Sequence, residues 1–114
     1  MGGQFVFLGT GASAGVPLIG CQCAVCRSSL PYNNRLRSAG WIRVGGKSFL
    51  IDVGPDFRQQ ALMHGIDRVD GLLLTHTHFD HIAGIDDLRV YSARQERAVP
   101  CLLSQESYDE LVVR

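Results

Sequence analysis

One short segment of the sequence gathers the side chains that bind divalent metals most readily. It reads His76-Thr77-His78-Phe79-Asp80-His81, so three of the chain's four histidines and one aspartate lie within six residues. On an extended segment alternate side chains point the same way, so His76 and His78 are expected to bind one ion. Asp80 and His81 are expected to face a second ion. Two divalent metals about 3.5–4 Å apart form a hydrolytic centre for phosphoesters or amides.

The segments on either side of this motif are predicted to hold it in place. Residues 71–75 contain the apolar run Leu72-Leu73-Leu74, which indicates a buried strand that ends at the histidines. Residues 82–91 carry apolar side chains at helical spacing and are predicted to form a helix. The alternative is a polar loop that is rich in histidine without function, and the carboxylate among the imidazoles argues against it.

Further strands and helices are predicted on both sides of these elements. Strands are expected at residues 4–8 and 99–103, and a hairpin at residues 41–44 and 48–52 around Gly45-Gly46. A helix is expected to begin at Pro55 and end at Gly65, with Phe57, Ala61 and Leu62 on its apolar face. Capping-box spacing at residues 107–110 predicts a last helix.

The histidine motif and the first part of the chain together carry a family resemblance. The sequence contains H-x-H-x-D-H, and also Gly9-Thr10-Gly11, Gly15-Val16-Pro17 and the cysteine-rich run at residues 20–26. In this combination the chain resembles the metallo-β-lactamase superfamily, specifically the branch that contains the phosphoribosyl cyclic phosphodiesterase. Ribonuclease Z is a neighbouring branch. The resemblance extends from Gln4 to about Tyr91.

This resemblance implies a fold class and a domain organisation. The expected fold is an α/β (α+β) αββα sandwich, of which this chain would be the N-terminal half, with a mixed sheet and flanking helices. Residues 1–114 are expected to form a single domain that is incomplete at its C-terminus. A complete domain of this kind is about twice as long, and the chain stops shortly after the last predicted helix begins.

The resemblance also implies a set of metal ligands and their supporting residues. His76, His78, Asp80 and His81 are the expected ligands, and Asp80 is also expected to act in catalysis by orienting the attacking hydroxide. A third histidine, a bridging aspartate and a last histidine would come from beyond this chain. Asp52 ends an apolar strand and is expected to accept a hydrogen bond from a ligand histidine, which fixes its tautomer. The alternative for Asp52 is a solvated acid or a helix cap.

Three cysteines lie close together in the first part of the chain. Cys21, Cys23 and Cys26 provide three soft ligands within six residues, which suits a closed structural zinc site. In the family branch the fourth ligand comes from late in the chain, and within these residues only Cys101 and His64 could substitute. His64 is expected instead near a helix C-terminus, and Cys101 in the core. The alternative is a set of free thiols or a redox pair.

The composition limits the partners and the compartment. Eleven basic and eleven acidic residues leave no net charge, so nucleic acid and anionic membranes are not expected partners. No apolar run is long enough for a membrane span, and no signal peptide is recognised at the N-terminus. Clustered cysteines without a signal peptide favour a reducing compartment, so the expected location is cytoplasmic. A homodimer is left open.

The sequence therefore predicts a metal-dependent hydrolase. Its expected reaction is hydrolysis of a small cyclic phosphate ester, a phosphodiester, at a dinuclear site that holds Zn²⁺ or Mn²⁺. A structural Zn²⁺ is expected at the thiolates. Two alternatives stay open: an RNA-processing endonuclease similar to ribonuclease Z, and a truncated zinc-binding protein without catalysis.

Overall fold

The computed structural model describes residues 2–113, which form a five-stranded sheet and four α-helices. The strands are β1 (Gly3–Gly9), β2 (Ala39–Val44), β3 (Lys47–Ile51), β4 (Gly71–Leu73) and β5 (Cys101–Leu102). The helices are α1 (Phe57–His64), α2 (Phe79–Ile82), α3 (Arg89–Gln95) and α4 (Gln105–Leu111). Single 3₁₀ turns occur at Pro31–Asn33 and Ile85–Leu88. Within the described residues, none of the helices is both long and apolar enough to cross a membrane.

The sheet is mixed, as predicted, and its strands follow one another in sequence order. Strands β1, β2 and β3 pair antiparallel, whereas β4 pairs parallel with β3 and β5 pairs parallel with β4. The predicted hairpin between β2 and β3 is confirmed, and Gly45 and Gly46 have φ of 55° and 75° in its turn. Because β3 and β4 are parallel, Ile51 lies opposite Leu73. The segments that follow these two strands therefore start side by side.

The two faces of the sheet differ in what covers them. On one face Leu50 and Leu72 pack with Phe57 of α1 and Tyr91 of α3 in the hydrophobic core. On the other face the registers align Phe7, Ile51, Leu73 and Leu102 in one row across the strands. Phe7 is 72% exposed and Leu102 is 69% exposed. An apolar face of this extent is what a second layer covers in a sandwich fold.

Helix α1 differs from its prediction at its start and on one face. It begins at Phe57 rather than at Pro55, because Asp56 lies at the N-cap and accepts hydrogen bonds from the backbone N–H and guanidinium of Arg37. Its end at Gly65 is confirmed, with φ of 63°. Phe57 and Ala61 are buried as predicted, but Leu62 is 66% exposed and does not belong to the core face.

The helix predicted over residues 82–91 is wrong, because the chain forms α2, a 3₁₀ turn and α3 instead. The break lies at Gly84, whose N–H donates to the carbonyl of Val53 (2.9 Å). A Cβ atom at Gly84 would lie 2.3 Å from the carbonyl oxygen of Gly54. The turn after β3 therefore crosses against the end of α2, and this close crossing interrupts the helix.

Gly84→Ala is expected to destabilise the chain by about 2 kcal/mol, because overpacking at this crossing forces the backbone apart. The φ of Gly84 is −94°, which alanine adopts readily, so the effect isolates steric contact from backbone preference. Urea unfolding followed by circular dichroism measures the change. Gly46→Ala is a contrasting control, since open space surrounds Gly46 and only its positive φ opposes the side chain. Equal stability of Gly84→Ala and the unmodified chain would contradict the close crossing.

The later part of the described chain corrects four smaller expectations. Strand β4 ends at Leu73 rather than at residue 75, and β5 is shorter than predicted. Cys101 was expected in the core but is exposed on β5. The N-cap of helix α4 lies three residues before the predicted one, at Ser104 rather than Ser107, because the Ser104 side chain accepts a hydrogen bond from the N–H of Ser107.

Candidate metal centre

The candidate centre lies where β3 and β4 end next to each other. Asp52 follows β3, and the N–H of Asp52 donates to the carbonyl of Leu73 at the end of β4 (2.9 Å). The motif segment continues from β4 and turns into α2, which carries Asp80 and His81. The carbonyl of His81 then accepts from the N–H of Val53 (2.9 Å). Two parallel strand ends and one helical turn thus place Asp52 against the histidines.

The buried Asp52 carboxylate is the centre of a hydrogen-bond network. Asp52 is only 4% exposed and has φ of 62°, a left-handed conformation that aspartate tolerates better than most residues. Its Oδ1 accepts from the N–H of Thr75 (2.8 Å), and its Oδ2 accepts from the Thr75 hydroxyl (2.6 Å). The same Oδ2 lies 2.6 Å from Nδ1 of His81. Both oxygens are therefore already engaged.

This network determines which nitrogen of each ring is free. Because the Asp52 carboxylate can only accept, Nδ1 of His81 carries the proton of their hydrogen bond. The Thr75 hydroxyl donates its proton to Asp52, so it accepts from Nδ1 of His76 (2.9 Å). In both histidines the lone pair then lies on Nε2, and in His81 this atom faces Oδ2 of Asp80. A histidine held in this way presents Nε2 to a metal.

The donor atoms lie at spacings that suit a metal ion. Nε2 of His81 is 3.1 Å from Oδ2 of Asp80. Two ligands of one tetrahedral zinc, at bond lengths near 2.0–2.1 Å, are separated by roughly 3.3 Å. Asp52, His76 and His81 each offer a ligand atom within 4.8 Å of the other two. Since both oxygens of Asp52 hold neighbours in place, we interpret Asp52 as support for the ligands rather than as a ligand.

The predicted ligands are close together but not equally arranged. The ring centroid of His76 lies 4.0 Å from that of His81 and 4.6 Å from that of His78. His76 and His81 are half-buried, whereas His78 is exposed. The sequence argument placed His76 and His78 on an extended segment after a strand at residues 71–75. Strand β4 ends at Leu73, and the sharing of one ion by these two histidines stays a prediction. Asp80 lies beside His81, and the binding of a second ion by this pair also stays a prediction.

Sequence reasoning missed two side chains that hold the motif segment. Thr75 connects Asp52 with His76 through the hydrogen bonds given above. The hydroxyl of Thr77, which is 4% exposed, donates to Oε2 of Glu110 on α4. A threonine before both His76 and His78 was visible in the sequence, although nothing in the spacing pointed to Glu110.

The three clustered cysteines form a second candidate site. One Sγ atom each from Cys21, Cys23 and Cys26 lies within 4.8 Å of the other two, and three thiolates around one zinc lie roughly 3.8 Å apart. The N–H of Cys26 donates to Sγ of Cys23 (3.4 Å), and this bond, together with the Cys21 side chain, lowers the pKa of Cys23 to about 7. A thiol that ionises near neutral pH is a ready metal ligand. Neither Cys101 nor His64 joins this group within the described residues.

Solved structures resemble this fold over nearly its whole length. A diphosphatase from the PhnP family superposes with a TM-score of 0.91 and 45% sequence identity, over 96% of this chain and 44% of that one. The Zn²⁺-bound PqqB from Methylobacterium extorquens superposes with a TM-score of 0.79 at 22% identity, over 96% of this chain and 40% of that one. The second likeness supports the fold alone.

Curated relatives match in sequence over shorter parts of their own length. An octanoyltransferase of Porphyromonas gingivalis is 53% identical over 95 residues, which are 82% of this chain and 19% of that protein. A ribonuclease Z of Mycolicibacterium gilvum is 37% identical over 65 residues, 55% of this chain and 23% of that protein. The chain thus spans less than a quarter of the length of either relative.

A family model described as the beta-lactamase superfamily domain matches residues 47–113. The matched residues include β3 with Asp52, the whole histidine motif, and α4. The superposition with the diphosphatase covers 96% of this chain and so extends the likeness to the part before residue 47, which includes strands β1 and β2 of the mixed sheet. The chain belongs to the beta-lactamase superfamily and has the metallo-β-lactamase fold.

Proposed function

We propose that the full-length protein that contains this chain is a metal-dependent hydrolase that cleaves a phosphorus–oxygen bond. The observation that carries the proposal is the Asp52 network, which holds His76 and His81 by Nδ1 and leaves Nε2 of each ring for a metal, with Oδ2 of Asp80 3.1 Å from Nε2 of His81. A site of neutral imidazoles and carboxylates is suited to hold divalent metals when hydrogen bonds to the far side of each imidazole fix its orientation. The proposed metals are two ions of Zn²⁺ or Mn²⁺.

Bound divalent metals supply a strong nucleophile at neutral pH and neutralise the charge that develops on phosphoryl oxygens. The residues of this chain hold the metals and orient the attacking water. Asp52 and Thr75 fix the imidazole rings, and His76, His78, Asp80 and His81 provide the ligand atoms. The carboxylate of Asp80 also accepts a hydrogen bond from the attacking water, which orients its lone pair toward phosphorus.

The proposed substrate is a small phosphodiester, with a cyclic phosphate ester as the first candidate. A diphosphatase at 45% identity supports a small phosphoryl compound, and it adds a diphosphate bond as a second candidate. Both bonds require the same in-line displacement at phosphorus. The protein is proposed to act in the cytoplasm and to need neither a membrane nor nucleic acid, and a homodimer is left open.

An RNA-processing endonuclease is the second candidate function, and the identity to a ribonuclease Z favours it. The charge balance of this chain argues against it, because binding to a polyanion normally requires a basic surface. Steep loss of activity with rising salt would accompany RNA cleavage but not hydrolysis of a small ester.

The test is an activity panel on the full-length protein loaded with Zn²⁺ or Mn²⁺. The substrates are a cyclic phosphodiester, a diphosphate-bridged nucleotide and a precursor transfer RNA. Turnover of either small compound supports the proposal, and cleavage of the RNA alone would replace it with the endonuclease. If the protein turns over none of them and binds a single zinc through its thiolates, it is the non-catalytic zinc-binding protein of the third alternative.

Cys23→Ser is expected to remove one metal per chain from the full-length protein without emptying the histidine centre. The serine hydroxyl does not ionise at neutral pH and is a poor ligand for a soft site. Titration with Co²⁺ separates the sites, because thiolate ligation produces a near-ultraviolet charge-transfer band. Cys101→Ser is the matched control and should keep the band, since exposed Cys101 lies outside the cluster. A full-strength band in Cys23→Ser would contradict a metal at these thiolates.

A further inference from the structure

We propose that Glu110 is a positioning residue for the metal centre, which acts through Thr77 on the segment that carries His76 and His78. This inference rests on the metal-binding role proposed above for the histidines. Among the described residues, Glu110 makes a hydrogen bond to Thr77 and makes no hydrogen bond or ion pair to a proposed ligand. Its contribution would be to restrict where the two imidazoles can lie.

The motif segment needs side-chain support because it lies beyond the regular sheet. The last ladder bond before it runs from the N–H of Leu74 to the carbonyl of Leu102 (2.9 Å). The next backbone bond along it runs from the N–H of His81 to the carbonyl of His78 (2.9 Å). Between these two backbone bonds, side-chain hydrogen bonds hold the segment: Thr75 donates to Asp52, and Thr77 donates to Glu110. His76 therefore lies between two anchored threonines.

Thr77 points in the opposite direction from its neighbours. It is 4% exposed, whereas His76 is half-buried and His78 is exposed. Alternation along an extended backbone turns one side chain inward and the flanking ones outward. An anchor on the inward side chain therefore fixes the direction of both imidazoles at once. Without it, both rings gain freedom that metal binding must then remove.

Glu110 is presented by an element that is itself fixed. Helix α4 is capped by Ser104, whose hydroxyl accepts from the N–H of Ser107 (3.1 Å), and Ser107 is buried. Leu111, the residue after Glu110, packs against the hydrophobic core. A carboxylate acceptor makes a stronger hydrogen bond to a hydroxyl than a neutral acceptor does. The contact thus connects α4, which is distant in sequence, to the middle of the motif.

The proposal predicts a loss of metal affinity that the fold alone would not produce. Glu110→Ala removes the acceptor and is expected to weaken binding at the histidine centre about tenfold, the lower end for residues that support ligands. Glu110→Gln keeps a carbonyl oxygen and should stay within about twofold. Thr77→Val should reproduce the loss, and Thr77→Ser should keep most of the affinity. Glu106→Ala, one turn earlier on the same helix, is the matched control.

Titration of the metal-free full-length protein with Mn²⁺, followed by electron paramagnetic resonance, is the experiment. Mn²⁺ prefers oxygen and nitrogen ligands, so the signal reports the histidine centre and not the thiolates. The melting temperature of each metal-free variant is recorded alongside. Weaker binding in Glu110→Ala, with rescue in Glu110→Gln and an unchanged melting temperature, is the expected result. An unchanged affinity in Glu110→Ala, or a loss that Glu110→Gln shares or that follows a lower melting temperature, would overturn the inference. If the unmodified protein binds neither Mn²⁺ nor Zn²⁺ at the histidine centre, the proposed function itself fails.

Discussion

Asp80→Ala in the full-length protein is expected to lower kcat for the phosphoryl substrate by about a thousandfold while the protein stays folded. The side chain of Asp80 reaches Nε2 of His81 at 3.1 Å, so its carboxylate lies where a ligand and the attacking water would meet. Removing it takes away both a metal ligand and the group that orients the nucleophile. The residue sits in the first turn of α2, a position that alanine occupies readily.

Steady-state kinetics, circular dichroism and metal content together check this prediction. The matched control is Asp86→Ala, because Asp86 lies on the next turn and its exposed side chain pairs, among residues 2–113, only with exposed Arg89. Such surface pairs contribute little, so kcat and stability in the control should stay close to those of the unmodified protein. A near-normal kcat in Asp80→Ala would show that another group orients the nucleophile.

Much of the fold around the centre could be predicted from local patterns. The hairpin around Gly45-Gly46 and the helix end at Gly65 each need a positive φ, which glycine adopts without strain. The strands β1, β2 and β3 follow from apolar runs between turns. These features depend on residues that are near one another in sequence, so one segment at a time is enough to infer them.

The errors lie where distant segments meet. The break between α2 and α3 results from Gly84 packing against Gly54, a contact that the helical spacing of residues 82–91 does not contain. Helix α1 starts late because Asp56 binds Arg37, which lies nineteen positions earlier. Cys101 is exposed because β5 adds at the end of the described sheet.

The candidate site shows the same division. The residue types and spacing of the motif pointed to a metal centre, and Asp52 was expected to support it from the end of a strand. The relay through Thr75 could not be inferred, because it depends on the register that places Ile51 of β3 opposite Leu73 of β4. Glu110 could not be inferred either, since only the packed position of α4 brings it to Thr77.

Substitution of Asp52 is therefore the second change with a large expected effect on the metal centre. Two substitutions separate its role in metal binding from its role in stability. Asp52→Ala is expected to weaken metal binding at the histidine centre about a hundredfold and to lower the free energy of unfolding by about 3 kcal/mol. It leaves the N–H and the hydroxyl of Thr75 without their acceptor. It also forces alanine into a backbone with φ of 62°, which costs about 1 kcal/mol or more.

Asp52→Asn is expected to keep most of the stability and still lose the metal. Asparagine tolerates the left-handed backbone, and its carbonyl oxygen can accept from the N–H of Thr75. Its amide N–H₂ can face Nδ1 of His81 only as a donor, so Nδ1 must accept and the ring proton moves to Nε2. Nε2 then has no lone pair for a metal. Nitrogen-15 spectra of the histidines in the metal-free protein would report this change of tautomer directly.

Asp70→Asn is the matched control, because Asp70 is also a buried carboxylate in a network but lies at the other end of β3 and β4. It accepts from the N–H of Ser48 (2.8 Å) and from the side chains of Arg68 and Arg97. The hydrogen bond from Arg68 lowers the pKa of Asp70, so its stabilisation is present at neutral pH. That stabilisation is lost as the pH falls below about 3.9, the ordinary value for aspartate, and through the folded pKa.

Asp70→Asn should thus be less stable at neutral pH, converge with the unmodified chain in acid, and bind Mn²⁺ with unchanged affinity. Asp52→Asn should show the reverse pattern, with near-normal stability and metal binding weakened at least tenfold. If both variants lose stability and affinity in proportion, the carboxylates act only by holding the fold. The contrast between the two variants would show that Asp52 determines the tautomer of His81, and that this tautomer determines the metal affinity.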